Sequence, residues 1–395
     1  MLTNLISFLA LTLLTAFSTS GVAIPTPQTA ITDTLYLPAI VRAWPPTWDW
    51  QAAETVEGIG FSGQAIESVF DAEGRLHLFW DSGISGRPAF VYHAYQGADG
   101  WVDSQPVAES LGQSDLGQPP VLDAAGNLHL VWPNEIISGT QTAYRLLYSR
   151  FDGSAWRQEE EVYRSLRGVA GWLQIDAAQR LHLYVRDNVN NLVLRHGVQG
   201  DGDWAWTAPI TFTTTMEWIW PDYAGGVRGY DAASSGHTLY SRWWNDGFAV
   251  QDQPIQGLNL SYRRTLLDGT DALHVFWSAQ ISIPGGSATA AQHQCLNDEL
   301  ILAPVETPSG YVSAASLVAD ADHRSWFGLG WTADNAVQIA LWNTCTLLST
   351  IMAPAAETQF TSLEAIAVDG AASKVCVVRK QFLRETREVV CAVVN

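Results

Sequence analysis

Four histidines, His77, His129, His182 and His274, each stand six residues after an aspartate and between two apolar residues. Imidazole beside carboxylate is the chemistry of metal binding or of general acid–base transfer. The surrounding residues argue against either. Asp71-Ala-Glu-Gly-Arg-Leu-His-Leu-Phe-Trp80 recurs as Asp123-Ala-Ala-Gly-Asn-Leu-His-Leu-Val-Trp132, and again around Asp176 and Asp268. Residues that occupy one place in four different copies of a unit are spread through the fold and cannot all converge on one ion. The histidines therefore read as packing between units. Asp71, Asp123, Asp176, Asp222 and Asp268 read as turn formers, and Trp80, Trp132 and Trp277 as core.

Chemistry particular to one place belongs where the copies differ. Four residues before each turn aspartate stand Glu67, Pro119, Trp172, Trp218, Arg264, Ser316 and Ala365. Two before stand Val69, Val121, Gln174, Trp220, Leu266, Val318 and Ala367. On a strand these two rows face one way. The first is not uniformly apolar, as a core row would be. It offers a carboxylate, a guanidinium and two indoles near the mouth of a central channel. Asp81, Glu135, Arg186, Asp187 and Asp231 adjoin it on later loops. Indole faces pack on sugar rings, and Arg and Glu bind carboxylates and hydroxyls, so the expected ligand-binding set is Glu67, Trp172, Trp218, Trp220, Arg264, Arg186 and Asp231. The alternative is that these groups plug the mouth or pair with one another. For catalysis, Glu67 with Asp231 or Glu135 offers a carboxyl pair, and Tyr262 or Tyr223 a nucleophile. No phosphate-binding Gly-rich loop, His-Glu-x-x-His helix or nucleophile elbow is present.

The elements that must position these residues follow from the repeat. Weaker copies begin at Asp222, Asp320 and Asp369, which makes seven units of 46–53 residues. In each, an apolar strand ends at the Asp and a tight turn follows, with Gly three residues on in the copies at Asp71, Asp123 and Asp222. An alternating second strand comes next, then a third such as Arg145–Arg150. A fourth begins near Trp101, Trp156 or Trp206. Four antiparallel strands per unit make a propeller blade. The last unit lacks a fourth strand, and Trp48–Val56 resembles one. The expected fold is thus an all-β, seven-bladed β-propeller over residues 46–395, its N-terminal strand completing the last blade. A stacked solenoid is the competing architecture.

Bulk properties bound the rest. Hydrophobic residues are 47% of the chain and charged residues 15%, enough for a large core, and 18 Trp suit a recurring structural position. Net charge is −19, and Lys374 and Lys380 are the only lysines, which argues against a nucleic-acid partner. Leu5–Phe17 reads as the apolar part of an export signal ending near Ala23; residues 24–45 read as a Pro/Thr-rich linker. A retained membrane anchor is the alternative, and no later segment is apolar enough to span a bilayer. Four cysteines suit an oxidising compartment. Cys376 and Cys391 face each other on one expected hairpin, and Cys295 and Cys345 fall near equivalent turns of adjacent units. Cys376–Cys391 with Cys295–Cys345 is the expected choice among three connectivities. No Cys-x-x-Cys spacing supports zinc.

The Asp-x-x-Gly-x-Leu-His-Leu-x-Trp pattern, with Tyr-Ser-Arg and Gly-x-x-Trp later in the unit, resembles secreted bacterial propellers of the sialidase-like, BNR-repeat group. It also resembles seven-bladed bacterial lectins. The resemblance covers residues 46–395 and implies an exported glycan-binding propeller, or a sialidase-like glycoside hydrolase or lyase acting at the channel mouth. The Ser-x-Asp-x-Gly-x-Thr-Trp boxes are absent, Phe151–Trp156 being a loose echo, and no catalytic triad is carried over. A protein-interaction scaffold is the third reading. A cofactor-free monomer whose partner is a glycan, another extracellular ligand or a protein is expected.

Overall fold

Apolar runs on either side of each turn aspartate form the strands. A computed structural model describes residues 48–394, except 57–65, 82–89, 109–119, 139–140, 176–178, 188–192, 200–202, 207–209, 212–215, 222–226, 232–236, 243–250, 256–260, 268–272, 284–285, 297–311, 320–324, 332–335, 344–345, 355–359 and 382–385. Side chains are described mainly over 48–206 and 351–394. The expected signal, the linker, Tyr223 and Cys345 lie outside the described residues.

The described strands form seven antiparallel sheets, in step with the seven sequence units. The first contains Ile66–Phe70, Leu76–Asp81, Val91–Gly97 and Gly100–Ala108. The second contains Val121–Leu122, Leu128–Ser138, Gln141–Phe151 and Glu160–Ser165. The third runs Val169–Ile175, Leu181–Asp187, Val193–Gln199 and Trp204–Trp206. Met216–Pro221, Val227–Asp231, His237–Arg242 and Gln251–Ile255 make the fourth. The fifth comprises Ser261–Leu267, Leu273–Ile283 and Gly286–Leu296. The sixth starts with Val312–Ala319 and ends with Thr346–Ala353. Phe360–Val368, Lys374–Gln381 and Arg387–Val394 form the body of the seventh. Each sheet begins with the strand that precedes its turn, and first strands lie side by side between the second and third, third and fourth, fifth and sixth, sixth and seventh, and seventh and first sheets. This is a β-propeller.

The turn works as the sequence suggests. Asp71 accepts hydrogen bonds from the backbone N–H of Glu73 and Arg75, and Asp123 from Ala125 and Asn127. Gly74 and Gly126 take φ of 75° and 85°, the region that a Cβ disfavours. Second strands differ from expectation. Leu76–Asp81 is buried at all six positions rather than on one face. Sheets stand face to face, so both faces of a strand are covered. Ile66, Phe70, Leu78 and Trp80 pack on Ala365, Ala367 and Val378 of the seventh sheet. Phe79 and Val91 pack on Leu128, Leu130 and Trp132 of the second. Two strand starts are corrected. Trp156 makes only an isolated bridge to Phe151 before its fourth strand begins at Glu160, and Trp206 ends a strand instead of opening one.

Chain closure is direct. Trp48–Trp50 and Glu54–Val56 both pair antiparallel with the C-terminal strand, Trp48 opposite Val394 and Val56 opposite Arg387. Glu54 accepts a hydrogen bond from the Trp101 indole at 2.8 Å, tying this segment to the first sheet. In the seventh sheet Cys376 and Cys391 stand opposite each other and form a disulfide. Cys295 lies in a described strand, but Cys345 does not, so the other expected pair falls outside the described residues. Buried Arg379 donates to buried Glu388 at 2.8 Å and to the Pro354 carbonyl.

Two outcomes follow. Gly74 has open space around its Cβ position, so Gly74→Ala should cost about 1 kcal/mol through the backbone alone, read by urea unfolding. Deleting residues 46–57 should lower the melting temperature far more than any single substitution; a deletion protein that melts like the full chain would contradict closure.

Candidate functional site

The candidate residues belong to the sheet ends reached by the loops from fourth to first and from second to third strands. Their register is regular. Glu67 lies opposite Phe79, Trp172 opposite Tyr184, Trp218 opposite Tyr230 and Arg264 opposite Phe276. The four-before positions of the first, third, fourth and fifth sheets share one register, and in the last three they read Trp, Trp, Arg, each against an aromatic residue.

What the row faces departs from expectation where side chains are described. Val69, two residues after Glu67, packs against the cluster shared with the second sheet, and Ala365 and Ala367 lie in the cluster shared with the first. These positions point between sheets, because strand side chains leave a radial sheet through its faces rather than through its inner edge. Glu67 is 4% exposed and Asp81 is 6% exposed, so neither carboxylate stands at an open mouth.

Trp172 and Arg186 are brought together. Arg186 lies opposite Ala170, diagonal to Trp172, and its guanidinium carbon is 5.8 Å from the indole centroid. A cation over an indole face gains roughly 0.5–2 kcal/mol and orders both groups. Trp172 remains half-buried. Glu135 lies opposite Tyr144 on the second sheet and is also half-buried.

Asp187 has a structural occupation. Its carboxylate accepts from Tyr163 Oη and from Ser165 Oγ, each at 2.6 Å, both in the last strand of the second sheet. It fastens the second sheet to the third. Trp218, Trp220, Arg264, Asp231 and Tyr262 are placed by backbone only. Asp231 ends a strand opposite Met216 and Thr238. Tyr262 sits at a register break between Ser261 and Arg263, and Glu217 at one between Met216 and Trp218. Bulges re-aim side chains and are frequent beside active sites. Neither break is visible as a sequence signal. Among the described residues no group of three metal-ligating side chains occurs.

No family profile matches the chain, and no curated protein matches it in sequence. Among solved structures it is similar to the β-propeller domain of the Trilobed protease from Pyrococcus furiosus. There the identity is 9% and the TM-score 0.48, over 82% of this chain and 93% of that one. It is similar to an ulvan lyase at 12% identity and TM-score 0.49, covering 86% and 95%. A protein of unknown function from Dyadobacter fermentans gives 10% and 0.48, covering 89% and 100%.

Asp187→Ala should leave the buried Ser165 hydroxyl and the half-buried Tyr163 hydroxyl without their acceptor and destabilise the protein by about 2 kcal/mol in urea unfolding, a cost that Trp172→Ala should not match if Trp172 serves a ligand.

Proposed function

We propose that this chain is an exported, closed ring of seven blades that binds a glycan on the loop-bearing ends of its third to fifth sheets. The observation that carries the reading is the Arg186–Trp172 pair. Two residues picked for sugar chemistry, on different strands, meet with the indole still partly accessible. An indole offers a flat apolar face to a pyranose ring, and the guanidinium offers paired N–H donors to a carboxylate or hydroxyls. Trp218 and Arg264 hold the equivalent register positions in the next two sheets, which supports reading the groups as one arc. Glu67 lies outside this arc and, being buried, serves it least.

Export rests on the apolar stretch Leu5–Phe17 and accords with the Cys376–Cys391 disulfide. Among the described residues no helix is long and apolar enough to cross a membrane.

A second reading, glycoside hydrolysis or lysis, is favoured by one observation, the register break at Tyr262, which the sequence offers as a nucleophile. Release of sugar from chromogenic glycosides, lost in Tyr262→Phe and Asp231→Asn, would establish it.

Binding to an oligosaccharide panel should weaken at least tenfold in Arg264→Ala, Trp218→Ala and Arg186→Ala, with melting temperatures within about 3 °C of the parent. A large loss of stability without any glycan bound by the parent would instead assign these residues to the fold.

A further inference from the structure

The histidine of the repeat has a partner beyond its turn. His77 Nε2 lies 2.9 Å from Asp71 Oδ2, and His77 Nδ1 lies 2.8 Å from His93 Nε2. Trp156 of the second sheet donates its indole N–H to His93 Nδ1 at 3.0 Å. An indole nitrogen only donates, so His93 Nδ1 is an acceptor and the His93 proton sits on Nε2. That proton meets His77 Nδ1, so His77 carries its own on Nε2 and donates it to Asp71. Every ring nitrogen is used, in one direction, from the second sheet to a carboxylate of the first. His77 is 0% and His93 3% exposed.

The second sheet repeats the device. His129 Nε2 lies 3.1 Å from Asp123, Tyr148 Oη lies 2.7 Å from His129 Nδ1, and Gln199 of the third sheet hydrogen-bonds Tyr148. Register extends it further. His93 opposite Phe79 and Tyr148 opposite Val131 have counterparts in His196 opposite Tyr184 and His293 opposite Phe276. The first, third and fifth sheets thus carry histidine pairs at matching positions: His77/His93, His182/His196 and His274/His293.

We propose that these relays are acid-sensitive latches between neighbouring sheets, and that protonating His93 releases the joint between the first and second. A proton added at Nδ1 would set two N–H donors head to head and break the bond to Trp156. The groups around His93 are His77 and Asp81 on its neighbouring strand, Glu67 on the first strand, Tyr95 on its own, and Asp71 with Arg75 at the turn. The second sheet opposes it with Phe151 and Trp156, and carries Asp152 and Arg157 exposed on the adjoining turn. Burial above all, then the electrostatics of neighbouring His77 and Arg75, holds His93 well below the usual 6.5. At Asp71 burial acts to raise the pKa, but hydrogen bonds from His77 and Arg75 more than offset it and keep the carboxylate ionised.

The sign follows. The unfolded chain takes up this proton as pH falls through 6.5 and the folded chain does not, so the stabilisation is complete above 6.5 and declines below it. Each such histidine lowers the folding constant by up to about tenfold per pH unit over that window.

The test uses the full chain labelled with 15N-histidine. Imidazole NMR should show His93 neutral, with its proton on Nε2, at pH 5.5. Hydrogen exchange should show the amides of Val91–Gly97 and Gln141–Phe151 losing protection at least threefold between pH 7.5 and 5.5. His93→Gln keeps an acceptor for Trp156 and a donor for His77 but cannot titrate, so it should abolish that loss. His93 titrating near 6.5, or His93→Gln losing protection as the parent does, would overturn the latch. If His93→Gln does not fold, the titration of the parent decides alone.

Discussion

Backbone hydrogen bonds between the chain's two ends are the interaction on which the remaining packing depends. A sheet set radially has two faces, and each face is covered only because another sheet stands beside it. Leu76–Asp81 is buried at every position because the seventh sheet covers one face and the second covers the other. Remove one neighbour and two apolar faces meet water. The pairing of Trp48–Trp50 and Glu54–Val56 with Arg387–Val394 completes the sheet that the C-terminus leaves short. Covalent and ionic reinforcement gathers in that same sheet. The Cys376–Cys391 disulfide ties the C-terminal strand to its neighbour, Arg379–Glu388 is a buried pair within it, and buried Arg387 pairs with half-buried Glu364. Buried pairs contribute little net stability but penalise any other register, because breaking one strands a charge.

Local chemistry made the turns and strand order legible. Asp-x-x-Gly specifies where an apolar strand stops and how sharply the chain reverses, and both requirements lie within a few residues of each other. The completing strand at Trp48–Val56 was legible for the same reason, since its pattern matches other fourth strands. Burial of both faces was not. Leu128, Leu130 and Trp132 alternate with His129 and Val131, which reads as one covered face, yet His129 and Val131 are buried as well. What covers a face is decided by another unit roughly fifty residues away. The partial role of Trp156 was hidden likewise, because its indole is held by His93 of the preceding sheet rather than by its own ladder.

The candidate site shows the same division. Parity along a strand put Glu67, Trp172, Trp218 and Arg264 in one row, and their pairing registers match. Parity says nothing of what lies opposite, and for Glu67 that is the second sheet. Asp187 looked like one more loop carboxylate, but the hydroxyls of Tyr163 and Ser165 claim it. Register breaks at Glu217 and Tyr262 shift which residues share a face just where the loops begin. An inserted residue in a ladder depends on pairing across strands, so a single strand's sequence does not disclose it.

The position six residues after the turn aspartate shows why the repeat tolerates change where it does. In register it is held by His77, His129, His182, Arg228 and His274, then by Trp326 and, one residue later, by Cys376. Where the side chains are described they are buried, so the position demands filled space and no unpaired polar atom. A histidine meets the demand by bonding the turn on one side and a third-strand residue on the other. Trp326 meets it within an apolar cluster, and Cys376 by bonding covalently to the third strand at Cys391. These solutions differ in one respect. A disulfide and an indole are indifferent to mild acid, whereas an imidazole is not. The seventh sheet, on which closure rests, carries the acid-insensitive solution, and the first and second sheets carry the imidazoles.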